Sequence, residues 1–269
     1  MKKTMTLVMV AGMLVTLLAV PTSAQDNAED LAKKLANPVA SLISVPIQAN
    51  YDENMGSDED GSVWKVNIQP VIPVSLNDDW NLISRTILPI IDQTDIPTNG
   101  AGESGIGDIV QSAFFSPKES TANGWVLAVG PVFLLPTASD DALGGEKWGV
   151  GPTALALKQI GPWTVGGLMN HIWSVAGEDD RVDVNATYLQ PFVSYVTKTK
   201  TTLGVSIEST YDWESEEWLV PVNATVNQML KIGSQIIQVG GGLRYWADSP
   251  EGAPQDLGFR LQLTMLFPK

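Results

Sequence analysis

Apolar and polar side chains alternate along almost the whole sequence after residue 42. In one segment, for example, Leu203 and Val205 alternate with Gly204 and Ser206. A period of two residues is the side-chain period of a β-strand, and it argues against helices in these segments. Turn residues separate the alternating segments from one another. The pattern predicts twelve strands, near 42–51, 63–74, 80–91, 107–117, 125–136, 148–158, 162–175, 183–197, 201–213, 218–231, 234–246 and 257–267.

The connections between these segments are of two kinds, which alternate strictly. One kind is short, and the other is acidic, mostly longer, and carries most of the 30 acidic residues. Such an alternation predicts an antiparallel sheet whose two ends face different surroundings, as in outer-membrane barrels with short periplasmic turns and longer extracellular loops. The short set is "SLNDD", "PKESTANG", "KQIG", "TKTK" and "KIG"; the acidic set is "DENMGSDEDG", "DQTDIPTNGAGESGIG", "TASDDALGGEK", "AGEDDRVD", "DWESEE" and "ADSPEGAPQD".

All nine tryptophans lie near the ends of the predicted strands. Indole favours the boundary between membrane and water, because it combines an apolar ring with one hydrogen-bond donor. Two rows of tryptophan therefore predict two aromatic girdles. Six tryptophans lie beside the acidic loops and three beside the short turns: Trp64, Trp148, Trp173, Trp213, Trp218 and Trp246 in the first row, and Trp80, Trp125 and Trp163 in the second.

Residues 1–24 have the features of a cleaved signal peptide. Lys2 and Lys3 precede an apolar run, and small residues at Thr22 and Ala24 mark the expected cleavage site. We therefore expect an exported mature chain. The absence of cysteine excludes a disulfide framework. A net charge of -14 argues against a nucleic-acid partner.

Alternation alone is compatible with two opposite arrangements. The apolar face would point inward in a β-sandwich and outward to lipid in a membrane barrel. Export, the even strand number, the two kinds of connection and the tryptophan rows favour the barrel, in which every backbone group is paired. We predict an all-β fold: a single 12-stranded antiparallel transmembrane β-barrel over residues 41–269, in a bacterial outer membrane. A short N-terminal helix within residues 25–40 would lie in the periplasm or plug the lumen.

The final segment, "GFRLQLTMLFPK", must pair with the first strand to close such a barrel. Its end at Phe267 resembles the terminal recognition strand of bacterial outer-membrane proteins. Expected partners are therefore the barrel-assembly machinery, outer-membrane lipids and lipopolysaccharide. Five prolines fall inside predicted strands, where we expect bulges or rim positions because proline removes a ladder donor: Pro70, Pro131, Pro152, Pro191 and Pro221.

Several stretches resemble one family of bacterial outer-membrane proteins, the "MetA-pathway of phenol degradation" proteins, often mislabelled neuromedin U. The resemblance covers nearly all of the mature chain. It implies an outer-membrane barrel that transports aromatic or other small hydrophobic compounds, and it assigns no site residues. The stretches are "NIQPVIPVSLNDDWNLISRTILPII", "GDIVQSAFFSPK", "GPVFLLPTA", "KWGVGPTALALKQIGPWTVGGLMNHIWS", "DVNATYLQPFVSYVTKTKTTLGVSIESTYDWE" and "LGFRLQLTMLFPK".

A twelve-stranded barrel leaves a narrow lumen at most. Alternation places four cations in one arc of that lumen, with Glu208 and Asp108 beyond its edges. Either the arc selects small polar or anionic solutes, or the charges pair and plug the lumen. The cations are Lys65, Arg85, Arg244 and Arg260, and the uncharged polar residues expected to line the lumen are Asn67, Gln69, Asn223, Thr225, Asn227, Gln238, Gln262 and Thr264.

Catalytic and metal sites are not expected. The single histidine, His171, has Ser174 three residues away on the opposite strand face, and it fits the outer girdle beside Trp173. The acidic loops could collect divalent cations or could be solvated surface. We expect a channel for passive passage of small solutes, with aromatic or anionic compounds as candidate classes, and no cofactor. The alternatives are a non-conducting structural or surface-binding barrel and, less favoured, a lipid hydrolase.

Overall fold

The computed structural model of the chain describes residues 31–40 and 42–267, and within them it shows a closed antiparallel β-barrel. It has twelve membrane-crossing strands, four of which are briefly interrupted. They are β1 Ile43–Met55, β2 Gly61–Ile68 and Val71–Ser75, β3 Trp80–Thr94, β4 Ser104–Ile106 and Ile109–Pro117, β5 Trp125–Leu135, β6 Lys147–Ile160, β7 Trp163–Gly177, β8 Asn185–Val196, β9 Thr201–Ile207 and Ser209–Asp212, β10 Glu217–Leu219 and Pro221–Ile232, β11 Gln235–Trp246, and β12 Asp256–Phe267.

The last strand closes the barrel on the first. β1 and β12 pair antiparallel from Ile43 opposite Phe267 to Tyr51 opposite Phe259. Every other strand pairs with its neighbours in sequence. The predicted twelve-stranded fold is confirmed, including the pairing that explains why the alternating pattern continues to Phe267.

The N-terminal part of the described chain contains a short helix, at residues 31–35. The predicted signal peptide, residues 1–24, and the start of the predicted N-terminal segment lie outside the described residues. In the part of the chain that the structure describes, no helix is both long and apolar enough to cross a bilayer.

Apolar side chains cover the outer surface of the barrel. On β5, Val129 is 59% exposed, while inward-facing Ala128 and Val132 are buried. On β9, Val205 is 47% exposed. Such an extensive apolar surface fits contact with lipid rather than water. The sandwich alternative is wrong, because it would bury this face between two sheets.

Prolines within the strands cause less disruption than expected. Pro70 and Pro221 stand at the interruptions of β2 and β10. Pro131 and Pro152 lie opposite each other, and Pro191 lies opposite Gly167, with no register shift at these pairs. The expected bulges are therefore absent at these three positions. Register shifts in the described strands occur elsewhere, after Glu53 and after Trp148.

The lumen has an apolar side and a polar side. Inward side chains of β3 to β7 form a buried apolar cluster that includes Ile83, Phe114 and Leu157. Many buried inward residues elsewhere are polar, for example Asn223 on β10 and Thr264 on β12, although Met229 and Leu266 on the same strands are buried and apolar. A polar interior was expected, but it holds only for part of the circumference, because β3 to β7 carry apolar residues on both faces.

Candidate functional site

Four charged side chains and one asparagine form a cluster of ion pairs and hydrogen bonds in the lumen, which we call the ionic layer. Arg260 donates to both carboxylate oxygens of Glu208, at 2.7 and 2.8 Å. Arg244 lies 3.3 Å from Asp52 Oδ1, measured from Nε, and 3.5 Å from Glu208 Oε2, measured from Nη1. Arg260 Nε donates to Asn50 Oδ1 at 2.7 Å. Strands β1, β9, β11 and β12 are thus connected across the lumen.

The ionic layer corrects the predicted arrangement of cations. Arg244 and Arg260 were expected on an arc set apart from Glu208, but both contact its carboxylate. The two charge-assisted hydrogen bonds from Arg260 to Glu208 favour one fixed geometry, and Arg244 adds an ion pair to the same carboxylate. For Arg244 and Arg260, the pairing alternative is therefore the one that the structure shows.

Asp52 is the functional carboxylate that the sequence reasoning missed. The predicted first strand ends at residue 51, which leaves Asp52 in an acidic loop, whereas β1 continues to Met55. Asn50 and Asp52 are two residues apart and therefore share the inward face. Extending the alternation by one residue would have revealed it.

Trp246 was predicted in the outer girdle and instead faces the lumen. Its Nε1 donates to Asp52 Oδ1 at 2.8 Å, and Arg244 Cζ lies 4.5 Å from its ring centroid. Since Arg244 and Trp246 are two residues apart on β11, they lie on the same face. The other eight tryptophans are exposed side chains at the strand ends: Trp64, Trp80, Trp125, Trp148, Trp163, Trp173, Trp213 and Trp218.

Two luminal cations stay outside the ionic layer. Arg85 Nη2 donates to Gln69 Oε1 at 2.9 Å, and Gln69 Nε2 donates to Gln48 Oε1 at 3.3 Å. Lys65 has an exposed side chain. Among the described residues, neither Arg85 nor Lys65 lies within ion-pair distance of a carboxylate. They supply positive charge that the ionic layer does not neutralise.

A cavity of about 270 Å³ lies in the lumen between the ionic layer and the N-terminal segment, which we define as described residues 31–40. Arg85, Glu208 and Arg260 line it together with apolar and uncharged polar side chains. Of the eight uncharged polar residues predicted to line the lumen, Asn67 and Asn223 do not line this cavity, and the other six do: Gln69, Thr225, Asn227, Gln238, Gln262 and Thr264.

Several buried polar atoms at or near the cavity have no hydrogen-bond partner among the described residues. They include Ser194 Oγ, Asn227 Oδ1 and Thr264 Oγ1, which belong to lining residues, and both amide atoms of Asn223. Buried polar groups are normally hydrogen-bonded, and unpaired groups beside a cavity point to water or a ligand as partner. This side of the cavity is therefore suited to a polar solute.

The N-terminal segment packs into the short-turn end of the lumen. Leu31 and Ala32 are buried in a cluster with Met229 and Leu266, and Val39 joins the apolar side of the lumen. Gln159 on β6 donates from Nε2 to the carbonyl oxygen of Lys33 at 2.7 Å. The segment therefore covers this end of the cavity.

Asp108 does not face the cations. Its Oδ1 accepts hydrogen bonds from the backbone amides of Thr137 and Ala138, both at 3.1 Å, and its Oδ2 accepts one from the amide of Gly145 at 2.7 Å. The carboxylate instead orders the loop between β5 and β6. Asp108 lies in the interruption of β4, between Ile106 and Ile109, which lets the side chain turn toward that loop.

The loop between β7 and β8 is held by Asp183. Its Oδ1 lies 3.1 Å from Lys147 Nζ and accepts a hydrogen bond from Ser174 Oγ at 3.0 Å. These hydrogen bonds hold the pKa of the Asp183 carboxyl below its ordinary value of 3.8. A lowered carboxyl pKa stabilises the folded loop above pH 3.8, and the contribution is lost as the pH falls through the depressed pKa.

We expect amide protection in residues 178–184 to be constant above pH 3.8 and to fall below it. Asp183→Asn should lower the protection above pH 3.8, because the ion pair to Lys147 is removed. Hydrogen exchange, corrected for the intrinsic rate at each pH, measures this. Asp179→Asn, at an exposed position of the same loop, is the control. Equal protection in the Asp183→Asn variant and the wild type would contradict the assignment.

His171 lies on the outer surface, where the sequence places it. Its ring centroid is 4.0 Å from that of Trp173, and its Nδ1 is 2.7 Å from Thr187 Oγ1. Trp213 Nε1 also donates to this hydroxyl, at 2.8 Å. The Thr187 hydroxyl thus connects the imidazole to the Trp213 indole. Among the described residues, the hydroxyl that contacts the imidazole is that of a threonine, not of a serine.

Glu146 shows how an acidic loop residue is bound to a neighbouring cation. Arg181 Nε lies 3.2 Å from Glu146 Oε2, and Arg181 Nη2 donates to the carbonyl oxygens of Asp141 and Gly144. Within the described ranges, no group of three or more acidic or histidine side chains is placed to hold a metal ion.

No family model and no curated protein sequence matches the chain. Among solved structures, an outer-membrane channel from Pseudomonas putida F1 has a TM-score of 0.65 at 15% identity, covering 84% of this chain and 96% of that one. The outer-membrane phospholipase of Salmonella typhi, a dimer with bound calcium, has a TM-score of 0.48 at 12% identity, covering 93% and 99%. The β domain of the Bordetella autotransporter BrkA has a TM-score of 0.46 at 14% identity, covering 84% and 100%.

Similarity at these identities shows the fold. The fold is that of bacterial outer-membrane β-barrels, and together with the apolar outer surface it locates the chain in a bacterial outer membrane. Membership of the family named above stays a prediction, because no family model matches.

Proposed function

We propose that the chain is an outer-membrane channel for passive passage of small solutes, with aromatic and anionic compounds as the candidate classes. The observation that carries the proposal is the cavity inside the lumen, with a polar wall and an apolar wall. A barrel with a purely structural role would need no cavity, since side chains fill the interior of small barrels. Binding by this mixed lining suits a solute with an apolar body and a polar group.

Two groups narrow the proposed path in the described conformation. Glu208 and Arg260 of the ionic layer line one part of the cavity, and Leu35 and Pro38 of the N-terminal segment line another. Movement of either group would widen the path. Lys65 and Arg85, which have no carboxylate partner among the described residues, would favour anions along this path.

Planar-bilayer recordings test this function. We expect small, gated currents with chloride and with aromatic acids such as benzoate, and a reversal potential that shows a preference for anions over cations. Lys65→Gln should reduce that preference, since it removes an unpaired luminal charge. Lys34→Gln, at an exposed position of the N-terminal segment, is the control. A silent wild type together with a silent Arg244→Gln variant, in which contacts of the ionic layer are weakened, would contradict a channel.

The second candidate is a non-conducting structural barrel, and the paired charges of the ionic layer favour it. Neutralising Arg244 separates the two candidates. In a channel, Arg244→Gln weakens the contacts to Asp52 and Glu208 and increases the current, whereas in a structural barrel it leaves the bilayer silent.

A lipid hydrolase is the least supported candidate. His171 has no catalytic partner in the geometry described above, so we expect no phospholipase activity from the purified protein. Hydrolysis that disappears on His171→Ala substitution would overturn this expectation.

A further inference from the structure

The cavity carries one positive charge without a carboxylate partner. Three charged side chains line it: Arg85, Glu208 and Arg260. Glu208 and Arg260 neutralise each other through two hydrogen bonds. Arg85 donates to the neutral amide oxygen of Gln69, and no carboxylate lies within ion-pair distance of it among the described residues. A solute with one negative charge would therefore neutralise the net charge of the side chains that line the cavity.

A carboxylate is the anion that best matches this group. The planar guanidinium presents paired N–H donors that fit the two oxygens of a carboxylate. A cation confined away from bulk water is unfavourable unless it is paired, so Arg85 gains from a bound anion. A second carboxylate on the same solute would be repelled by Glu208, which lines the same cavity. A monocarboxylate is thus preferred over a dicarboxylate.

The remaining lining limits the size and shape of the solute. Val71, Leu168 and Phe192 form an apolar wall, and Leu35 of the N-terminal segment also contacts the space. At roughly 30 Å³ per water molecule, 270 Å³ holds on the order of nine waters, which sets the size of the solute. A short apolar body fits beside that wall.

We propose that the lumen cavity is a binding site for a small monocarboxylate, whose carboxylate binds Arg85 and whose apolar body lies against Val71, Leu168 and Phe192. This inference deepens the proposed function and rests on it, because the cavity lies on the proposed path through the barrel. Arg85 is the specificity-determining residue of this site.

Titration calorimetry of the full-length protein, purified in detergent from an outer membrane, tests the site. Hexanoate is the probe, and hexanamide is its neutral match. We expect hexanoate to bind at least ten times more tightly than hexanamide. Arg85→Gln should weaken hexanoate binding at least tenfold. Lys65→Gln, which removes a luminal cation that does not line the cavity, should change it less than twofold.

A second variant distinguishes loss of the positive charge from misfolding of the first variant. Arg85→Lys keeps the positive charge, so it should still prefer hexanoate to hexanamide. Far-ultraviolet circular dichroism establishes that each variant keeps its barrel. Equal affinity of the wild type for hexanoate and hexanamide, or unchanged hexanoate binding in a folded Arg85→Gln variant, would overturn the proposal.

The results separate this site from the channel function. Hexanoate binding that depends on Arg85, in a protein that never conducts, would support the site and refute the channel. Conduction by a protein that does not bind hexanoate would support the channel and refute the site.

Discussion

Replacing Glu208 by glutamine is expected to lower the free energy of unfolding by about 3 kcal/mol. The Glu208 carboxylate contacts both arginines of the ionic layer, and Arg260 is only 3% exposed. Without the negative charge, Arg260 stays buried with Asn50 as a neutral partner. Loss of one member of a buried ion pair is costly for this reason: the remaining charge keeps its desolvation penalty.

Equilibrium unfolding in guanidinium, with the protein folded in lipid vesicles, measures the effect of Glu208→Gln. Glu217→Gln is the matched control, since Glu217 is an exposed carboxylate at the start of β10. The control should change the unfolding free energy by less than about 0.5 kcal/mol. If Glu208→Gln were as stable as this control, water in the lumen would be solvating the arginines, and the ionic layer would not be a stabilising element.

Removing residues 31–40 is expected to increase the conductance of the barrel. Ala32 is 1% exposed and Val39 is 5% exposed, so the segment is packed in the lumen rather than lying over its rim. It also supplies lining to the cavity through Leu35 and Pro38. Its removal widens the short-turn end of the lumen, so that only the ionic layer still narrows the path.

Single-channel recording measures the opening. The point variant Val39→Asp should act in the same direction, because it places a carboxylate among Ile83, Phe114 and Leu157, where burial of an unpaired charge is unfavourable. Lys34→Ala, at an exposed position of the same segment, should leave the recording unchanged. Silence of both the deletion and Val39→Asp would show that the segment is not the barrier.

Strand positions were predictable because alternation and turn residues agree. The sequence predicts β5 at 125–136, and the structure has it at Trp125–Leu135. Closure of the barrel was predictable too, because the unpaired backbone groups of a strand edge are unfavourable in lipid. The same alternation is sufficient to place Lys65, Arg85, Arg244 and Arg260 on the inward face of their strands.

The ionic layer could be predicted only in part. Alternation identifies which side chains face inward, but contact between Glu208 on β9 and Arg260 on β12 depends on the diameter and stagger of the closed barrel. No local pattern encodes that distance. Trp246 is a different case, because the same alternation that places Arg244 inward also places Trp246 inward. The prediction placed Trp246 in the girdle because tryptophan favours the membrane interface, although its position in the alternation indicates the inward face.

The apolar side of the lumen was also beyond the sequence reasoning. Phe114 and Leu157 lie on strands that are apolar on both faces, so the alternation that marks an inward face is weak there. Their partner Val39 comes from the N-terminal segment, and its insertion into the barrel is a tertiary contact that strand periodicity does not report.

The outward orientation of the apolar face is tested most directly by nitroxide labels in lipid. Because the chain has no cysteine, Ile90→Cys and Lys65→Cys each carry a single label. Both side chains are exposed, Ile90 by 42%, but Ile90 lies on the outer surface and Lys65 in the lumen. We expect the label at 90 to be accessible to oxygen dissolved in lipid and shielded from a water-soluble nickel chelate, and the label at 65 to show the reverse. A label at 90 that is shielded from both would place this face in a dry core and contradict the barrel.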